Sequence, residues 1–336
     1  MKFHKQAFSV VELLVVIVII GIIATLTVVG YGFVSRDAVN TSIQNDLTNA
    51  YEQLDVFNYQ NKVYPLTLNC SIANSSTNLC IKVANGSTFS YKPDSLTSPQ
   101  RYCYSVKNGS TQYYIMNNTT RTPAPGGCVE QSNLVFNYDF ANSSTYSGSG
   151  TTVNDISGKN NNSVLYNGVS YSSLNNGALS FDGIDDYLEV KNITNTTIRS
   201  VEIAYKYNAF NSFYGPLWRV QDWRERIFTD KVQLQDNANL VYSLLGPAQN
   251  NNIQYITYSY NGTSIKSYTN GSQTTSLTMT NPMNTGLFDY RIGYQCAGST
   301  CLNINMNLYF VRFYDIELTP TQVSDNFNAL RSRYGL

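Results

Sequence analysis

From Leu13 to Val34 this chain carries no charged side chain, and the residue immediately before that run is a glutamate. The stretch Ala7-Phe8-Ser9-Val10-Val11-Glu12-Leu13-Leu14-Val15-Val16-Ile17-Val18-Ile19-Ile20-Gly21 reads as an apolar helix with one carboxylate near its start. As a helix, 13–34 is about 33 Å long, enough to span a bilayer. An unpaired Glu12 inside it would cost about 2.5–3.5 kcal/mol, so the segment needs a partner that a plain anchor does not supply. A secretory signal is cut after its apolar stretch, and no A-x-A-like site follows Val34 promptly. Lys2 and Lys5 place the leader in the cytoplasm and the rest of the chain outside the cell.

The order basic leader, small residue, aromatic and fifth-position Glu resembles the class III leader of type IV pilins and related pseudopilins. The resemblance implies cleavage between Ala7 and Phe8, N-methylation of Phe8, and a Glu12 that pairs with the α-amino group of a neighbouring subunit's Phe8 during filament assembly. Ala7 stands where the family usually has Gly. Opposite charges about 4 Å apart in apolar surroundings attract strongly enough to set such a register. The partners implied are other pilin subunits, the prepilin peptidase with its assembly machinery, and the membrane before assembly.

Charge and composition exclude several functions. Lys plus Arg and Asp plus Glu each number 22, and removing Lys2 and Lys5 with the leader leaves a net charge of −2. No nucleic-acid field or polybasic membrane patch follows from that balance. The one histidine, His4, lies in the leader, so a processed chain has no Ser-His-Asp or Cys-His catalysis and no His-ligated zinc. Six cysteines in an exported chain favour disulfides. Cys296–Cys301 closes a small loop, and Cys70–Cys80 with Cys103–Cys128 is the favoured choice among three ways of pairing the other four.

Val39, Ile43, Leu47, Ala50, Leu54 and Phe57 recur every three or four residues, so one helix is expected over 8–60, with 8–34 as membrane span and filament core. Gly30 and Gly32 weaken it by about 1 kcal/mol each relative to Ala. Short strand patterns fill 61–121, and Asn108-Gly109 marks a hairpin. Residues 122–132, with two prolines and a glycine pair, read as a linker. A larger unit covers 133–336. Its strand candidates are Leu134–Phe140, Ala178–Phe181, Tyr187–Val190, Ser200–Tyr207, Gln254–Tyr260 and Ile304–Tyr314, with turns at Asn261-Gly262 and Asn270-Gly271. Thr319, Pro320 and Gln322 signal a capped final helix with a Leu318–Val323 staple. The expected fold is thus an α+β pilin module, a long helix plus a small antiparallel sheet, followed by an all-β jelly-roll sandwich with a short C-terminal helix.

Leu134-Val135-Phe136-Asn137-Tyr138-Asp139-Phe140, Val153-Asn154-Asp155-Ile156-Ser157-Gly158, Phe181-Asp182-Gly183-Ile184-Asp185-Asp186-Tyr187 and the closing Val311–Thr319 and Arg333–Leu336 resemble laminin-G-like domains. That resemblance implies a concanavalin A-like jelly roll that binds cell-surface glycans or proteins. Asp182, Asp185 and Asp186 admit a Ca²⁺ reading, but turn chemistry explains them more simply, and no cofactor is expected. Tyr214, Trp218, Trp223 and Arg224 combine rings with fork-shaped donors suited to sugar stacking or a protein hot spot, and core burial accounts for the tryptophans equally well. Glu202, Asp222 and Glu225 are unpaired in sequence, and no Glu-x-Asp-x-x-Glu string occurs, so no enzyme is expected. The expected function is a minor or tip type IV pilus subunit displaying an adhesive laminin-G-like domain. The alternatives are a type II secretion pseudopilin and, last, a tethered glycan-active enzyme.

Overall fold

The computed structural model describes residues 10–94, 100–117, 122–193, 199–209, 215–220, 223–227, 232–235, 241–244, 252–278, 288–297 and 300–336, with side chains at all of these except 12, 26–35, 94, 175, 192, 209, 215–244, 288 and 294–303. Helix α1 spans Val10–Asn61 and runs without a break across Gly30 and Gly32. Its two halves differ. From Val10 to Ile23 every described large apolar side chain is exposed, whereas Ile43, Leu47, Ala50 and Leu54 are fully buried. The helix stops at Lys62, whose φ of 61° lies in the left-handed region while its amide donates back to the Asn58 carbonyl. Among the described residues no helix is long and apolar enough to cross a membrane. The run read as a span continues into 26–35, where side chains are not described.

The buried half of α1 packs on a four-stranded antiparallel sheet built from Thr88–Asp94, Arg101–Asn108, Thr111–Met116 and Ala124–Pro125 in that order. Period-two alternation divides the second strand between two faces. Tyr102, Tyr104 and Val106 meet the helix, while Cys103 joins Tyr114, Met116, Ala124 and Cys128 on the other side. The Asn108-Gly109 turn forms, with Gly109 at φ 58° and Asn108 paired to Thr111. Disulfides join Cys70 to Cys80 and Cys103 to Cys128. The segment read as a linker behaves differently. Ala124–Pro125 adds the fourth strand, and Ala124 and residues 126–129 are buried.

Among the described residues, 134–336 form a mostly antiparallel β-sandwich of two eight-stranded sheets capped by helix α2, Pro320–Tyr334. Leu188, Val190, Tyr290 and Ile292 from one sheet interlock with Val201, Ile203, Tyr205 and Phe313 from the other. The central strand Asn305–Tyr314 pairs along one edge with Ser200–Ala209. Its other edge is shared by Ala178–Asp182 and Leu134–Asp139. Helix α2 begins with the expected capping box between Thr319 and Gln322, with Pro320 in the first turn, and ends at Gly335, φ 70°. It lies on the outer face of the second sheet, where Phe327 and Leu330 pack against Ala204, Tyr255 and Phe310.

Candidate functional site

Two regions concern function: the exposed half of α1 and the outward surfaces of the sandwich. Ala7 and Phe8 lie outside the described residues. Glu12 lies in the first turns of α1, its side chain outside the described set. What is described is a helical rod rich in Val, Leu and Ile from Val10 to Ile23, whose described large apolar side chains are all exposed. Leaving that much apolar surface in water is unfavourable by roughly 25 cal/mol per Å², so this half of the helix requires a lipid or protein environment.

Among the ligand candidates, Tyr214 lies outside the described residues. Trp218, Trp223 and Arg224 sit in the neighbouring strands Gly215–Val220 and Trp223–Ile227, where backbone register sets Trp218 opposite Glu225 and Val220 opposite Trp223. Their side chains are not described. Register also sets Cys296 opposite Cys301 in a two-stranded hairpin.

The sandwich carries an aromatic and charged surface that the sequence reading did not single out. Along Tyr187–Ile193 the core takes Leu188 and Val190, so Tyr187, Glu189 and Lys191 lie on the opposite face, where Lys191 is exposed, Tyr187 half-buried and Glu189 covered by its neighbours. Tyr187 stacks on Tyr166 with ring centroids 4.5 Å apart, and the Arg291 guanidinium lies 5.2 Å from the Tyr187 ring centre. Glu189 accepts from Arg291 Nε at 2.6 Å and holds the Lys191 ammonium at 3.0 Å. Although burial opposes its charge, these two cations hold the Glu189 carboxyl below its ordinary range. The alternation Tyr-Leu-Glu-Val-Lys was the available signal, but which face looked outward depended on the partner sheet.

Asp182, Asp185 and Asp186 do converge, with carboxylate oxygens within 4.8 Å of one another. The turn uses two of them itself. Asp182 Oδ1 accepts from the Ile184 amide at 2.7 Å, and Asp186 Oδ2 accepts from the Asp182 amide at 2.9 Å. Burial, then the charges of Asp182 and Asp185, pushes the Asp186 carboxyl up. These three would hold a hard cation such as Ca²⁺ only with several further oxygen ligands.

Glu202, which had no partner along the sequence, is fully buried beneath α2. It accepts from Tyr314 Oη at 3.0 Å, Tyr255 Oη at 3.3 Å and Asn326 Nδ2 at 3.0 Å, and lies 3.9 Å from Arg312 Nη1. Burial outweighs these partners and pushes its carboxyl up. Beside it, Asp139 takes a two-pronged contact from Arg333, with Nη1 to Oδ1 at 2.7 Å and Nη2 to Oδ2 at 3.1 Å. Burial acts to raise the Asp139 carboxyl, but Arg333 and Arg312 together bring it below its ordinary value. Two acids and two arginines balance in charge and are closed to solvent, so this network holds structure together rather than meeting a substrate.

Comparison with known proteins adds one assignment. Residues 2–28 match the prokaryotic N-terminal methylation motif. No curated protein sequence matches the chain. Among solved structures, the botulinum neurotoxin serotype D binding domain matches with TM-score 0.46 and 14% identity, over 59% of this chain and 52% of that one. The binding domain of Paraclostridial Mosquitocidal Protein 1 gives 0.47 and 15%, over 59% and 52%. The serotype D ligand binding domain in complex with N-acetylneuraminic acid gives 0.47 and 15%, over 59% and 51%. The chain spans about half the length of these structures, and likeness at this level assigns it no ligand.

Proposed function

We propose that the chain is a type IV pilus subunit, minor or at the tip, which assembles through α1 and displays its β-sandwich for adhesion to a cell-surface glycan or protein. The methylation motif over residues 2–28 carries the reading. It supports a type IV pilin or pseudopilin-like protein and implies a membrane-held precursor processed by the prepilin peptidase. The division of α1 fits. A helix whose far half is sealed against its own sheet and whose near half is apolar and bare is built to enter a shared core of like helices. Bundling those faces removes apolar surface from water, and the amine of Phe8 then answers Glu12 across subunits.

The pilin and pseudopilin readings share the motif, and the displayed sandwich favours the adhesive one. Its outward Tyr166–Tyr187 stack, with Arg291 pinned by Glu189, offers fixed ring edges and donors of the kind that orient a sugar or a protein hot spot. We assign no catalytic residue.

The mature chain should begin at N-methylated Phe8, and Glu12→Ala should accumulate in the membrane while its share in purified filaments falls at least tenfold. Mass spectrometry and immunoblotting of the two fractions read both. A chain still starting at Met1, or Glu12→Ala incorporated at the normal level, overturns the proposal. Gold labelling confined to the envelope, with none on long surface filaments, selects the pseudopilin reading.

A further inference from the structure

We infer that the sandwich is locked to the helix-and-sheet module as one mechanical body, through a joint in which residues 122–132 act as a packed strap rather than a hinge. The inference goes beyond the filament reading and holds whether or not the chain polymerises.

Three sets of contacts build the joint. The strap is hydrogen-bonded on both sides, since the Gly126 amide donates to the Gln112 carbonyl at 2.8 Å and the Gly127 amide donates to the Ala329 carbonyl of α2 at 2.7 Å. Gly126 holds a φ of 107°, which side chains rarely adopt, and a Cβ there would stand 2.9 Å from Leu330 Cδ2, so glycine suits the strap's close approach to the helix. Further along, the Glu130 amide donates to Asn326 Oδ1 at 2.7 Å and Gln322 Nε2 donates to Glu130 Oε2 at 3.0 Å. The second contact crosses between the units. Tyr114, from the small sheet, donates its hydroxyl to Asp139 Oδ2 at 3.0 Å and accepts from Asn142 Nδ2 at 3.3 Å, which places it in the same network as Arg333 and Arg312. Withdrawing Tyr114 would leave a buried carboxylate short of a donor in a dry setting, so the units separate only at the expense of that network. The third contact is covalent. Cys103–Cys128 ties the strap to the strand that packs on α1.

The connectivity also sets the path of force. A pull on the sandwich enters at Cys128 and passes through the disulfide to Cys103, so residues 104–127 bear none of it. Cys70–Cys80 likewise bypasses 71–79. The bridges span sequence separations of 10 and 25, which withholds roughly 110 Å of extension at about 3.4 Å per residue. A subunit that holds a surface while its shaft is under tension gains from such a joint, because the sandwich stays in place instead of unravelling from its base.

Hydrogen exchange of the full chain in detergent across a urea series tests the joint. In the wild type, residues 101–116 and 320–334 should lose protection at one urea concentration. Tyr114→Phe should separate the two losses, while Tyr113→Phe on the same strand leaves them together. Optical-tweezer extension of the full chain should lengthen by roughly 110 Å on adding a thiol reductant, from the residues the two bridges withhold. Separate losses in the wild type, which needs no variant to fold, overturn the joint, as does Tyr114→Phe leaving both at the wild-type urea concentration. An extension unchanged by reductant overturns the load path. None of these readings depends on filament formation, so failure of the joint is distinct from failure of the proposed function.

Discussion

Asp139 and Glu202 sit in one buried network and titrate in opposite senses. Asp139 has a folded-state pKa below its unfolded value, so it contributes stability above about pH 4 that is lost as pH falls through the folded pKa. Glu202 has a raised pKa, so its ionised form costs stability at neutral pH and protonation relieves that cost on mild acidification. Thermal melts should therefore hold steady or rise slightly from pH 7 to about 5 and fall below about 4. Glu202→Gln should reduce the rise, leaving the part that Asp186, whose carboxyl burial also raises, contributes. Asp139→Asn should flatten the acid-side fall but cost about 3–5 kcal/mol at pH 7, because Arg333 and Arg312 are left buried without their carboxylate. A melt of Asp139→Asn matching wild type at pH 7 would show that the network is idle.

Local chemistry decides the elements. Helix α2 carries its start signal in Thr319, Pro320 and Gln322, and the side-chain and backbone bonds of the capping box are both present. Thr319→Ala should lower stability by about 1 kcal/mol, read as a shift in urea midpoint at unchanged slope. The Asn270-Gly271 turn places both residues at positive φ, 50° and 76°, the two-residue geometry whose twist matches the flanking strands. Gly271 has a second constraint. A Cβ there would stand 2.8 Å from the Phe327 ring of α2, so Gly271→Ala should destabilise through both strain and clash, by more than the ~1 kcal/mol of a turn change alone. Urea melts of the two variants separate these magnitudes.

At the scale of the whole molecule, the two units share a buried boundary, and the Cys103–Cys128 bridge ties the strap that leads into the sandwich to the small sheet. Replacing both cysteines by serine should cost about 3–4 kcal/mol, from the chain entropy released by opening a loop of that length. Because the bridge ends on the strap, the loss should appear in the sandwich as well as in the small sheet, measurable as earlier exchange in 320–334. If only 101–116 loosens, the bridge serves the small module alone.

Much of this architecture was legible along the chain because its causes are local. A three-to-four spacing from Val39 to Phe57 specifies the buried face of α1, and Asn-Gly pairs and a capping box mark turns and a helix start wherever they occur. The leader pattern that points to assembly is likewise contiguous, within residues 2–28. Contacts between distant residues were not legible. Prolines and glycines at 122–127 describe a linker as well as a strap, and only the approach of α2, some two hundred positions on, decides between them. The same holds for Asp139 with Arg333, 194 residues apart, and for Glu202, whose burial follows from which sheet face the last helix covers. Short-range sterics and periodicity thus determined the elements and the assembly helix, whereas packing between sequence-remote surfaces decided how the two units join and which charged groups are closed to water.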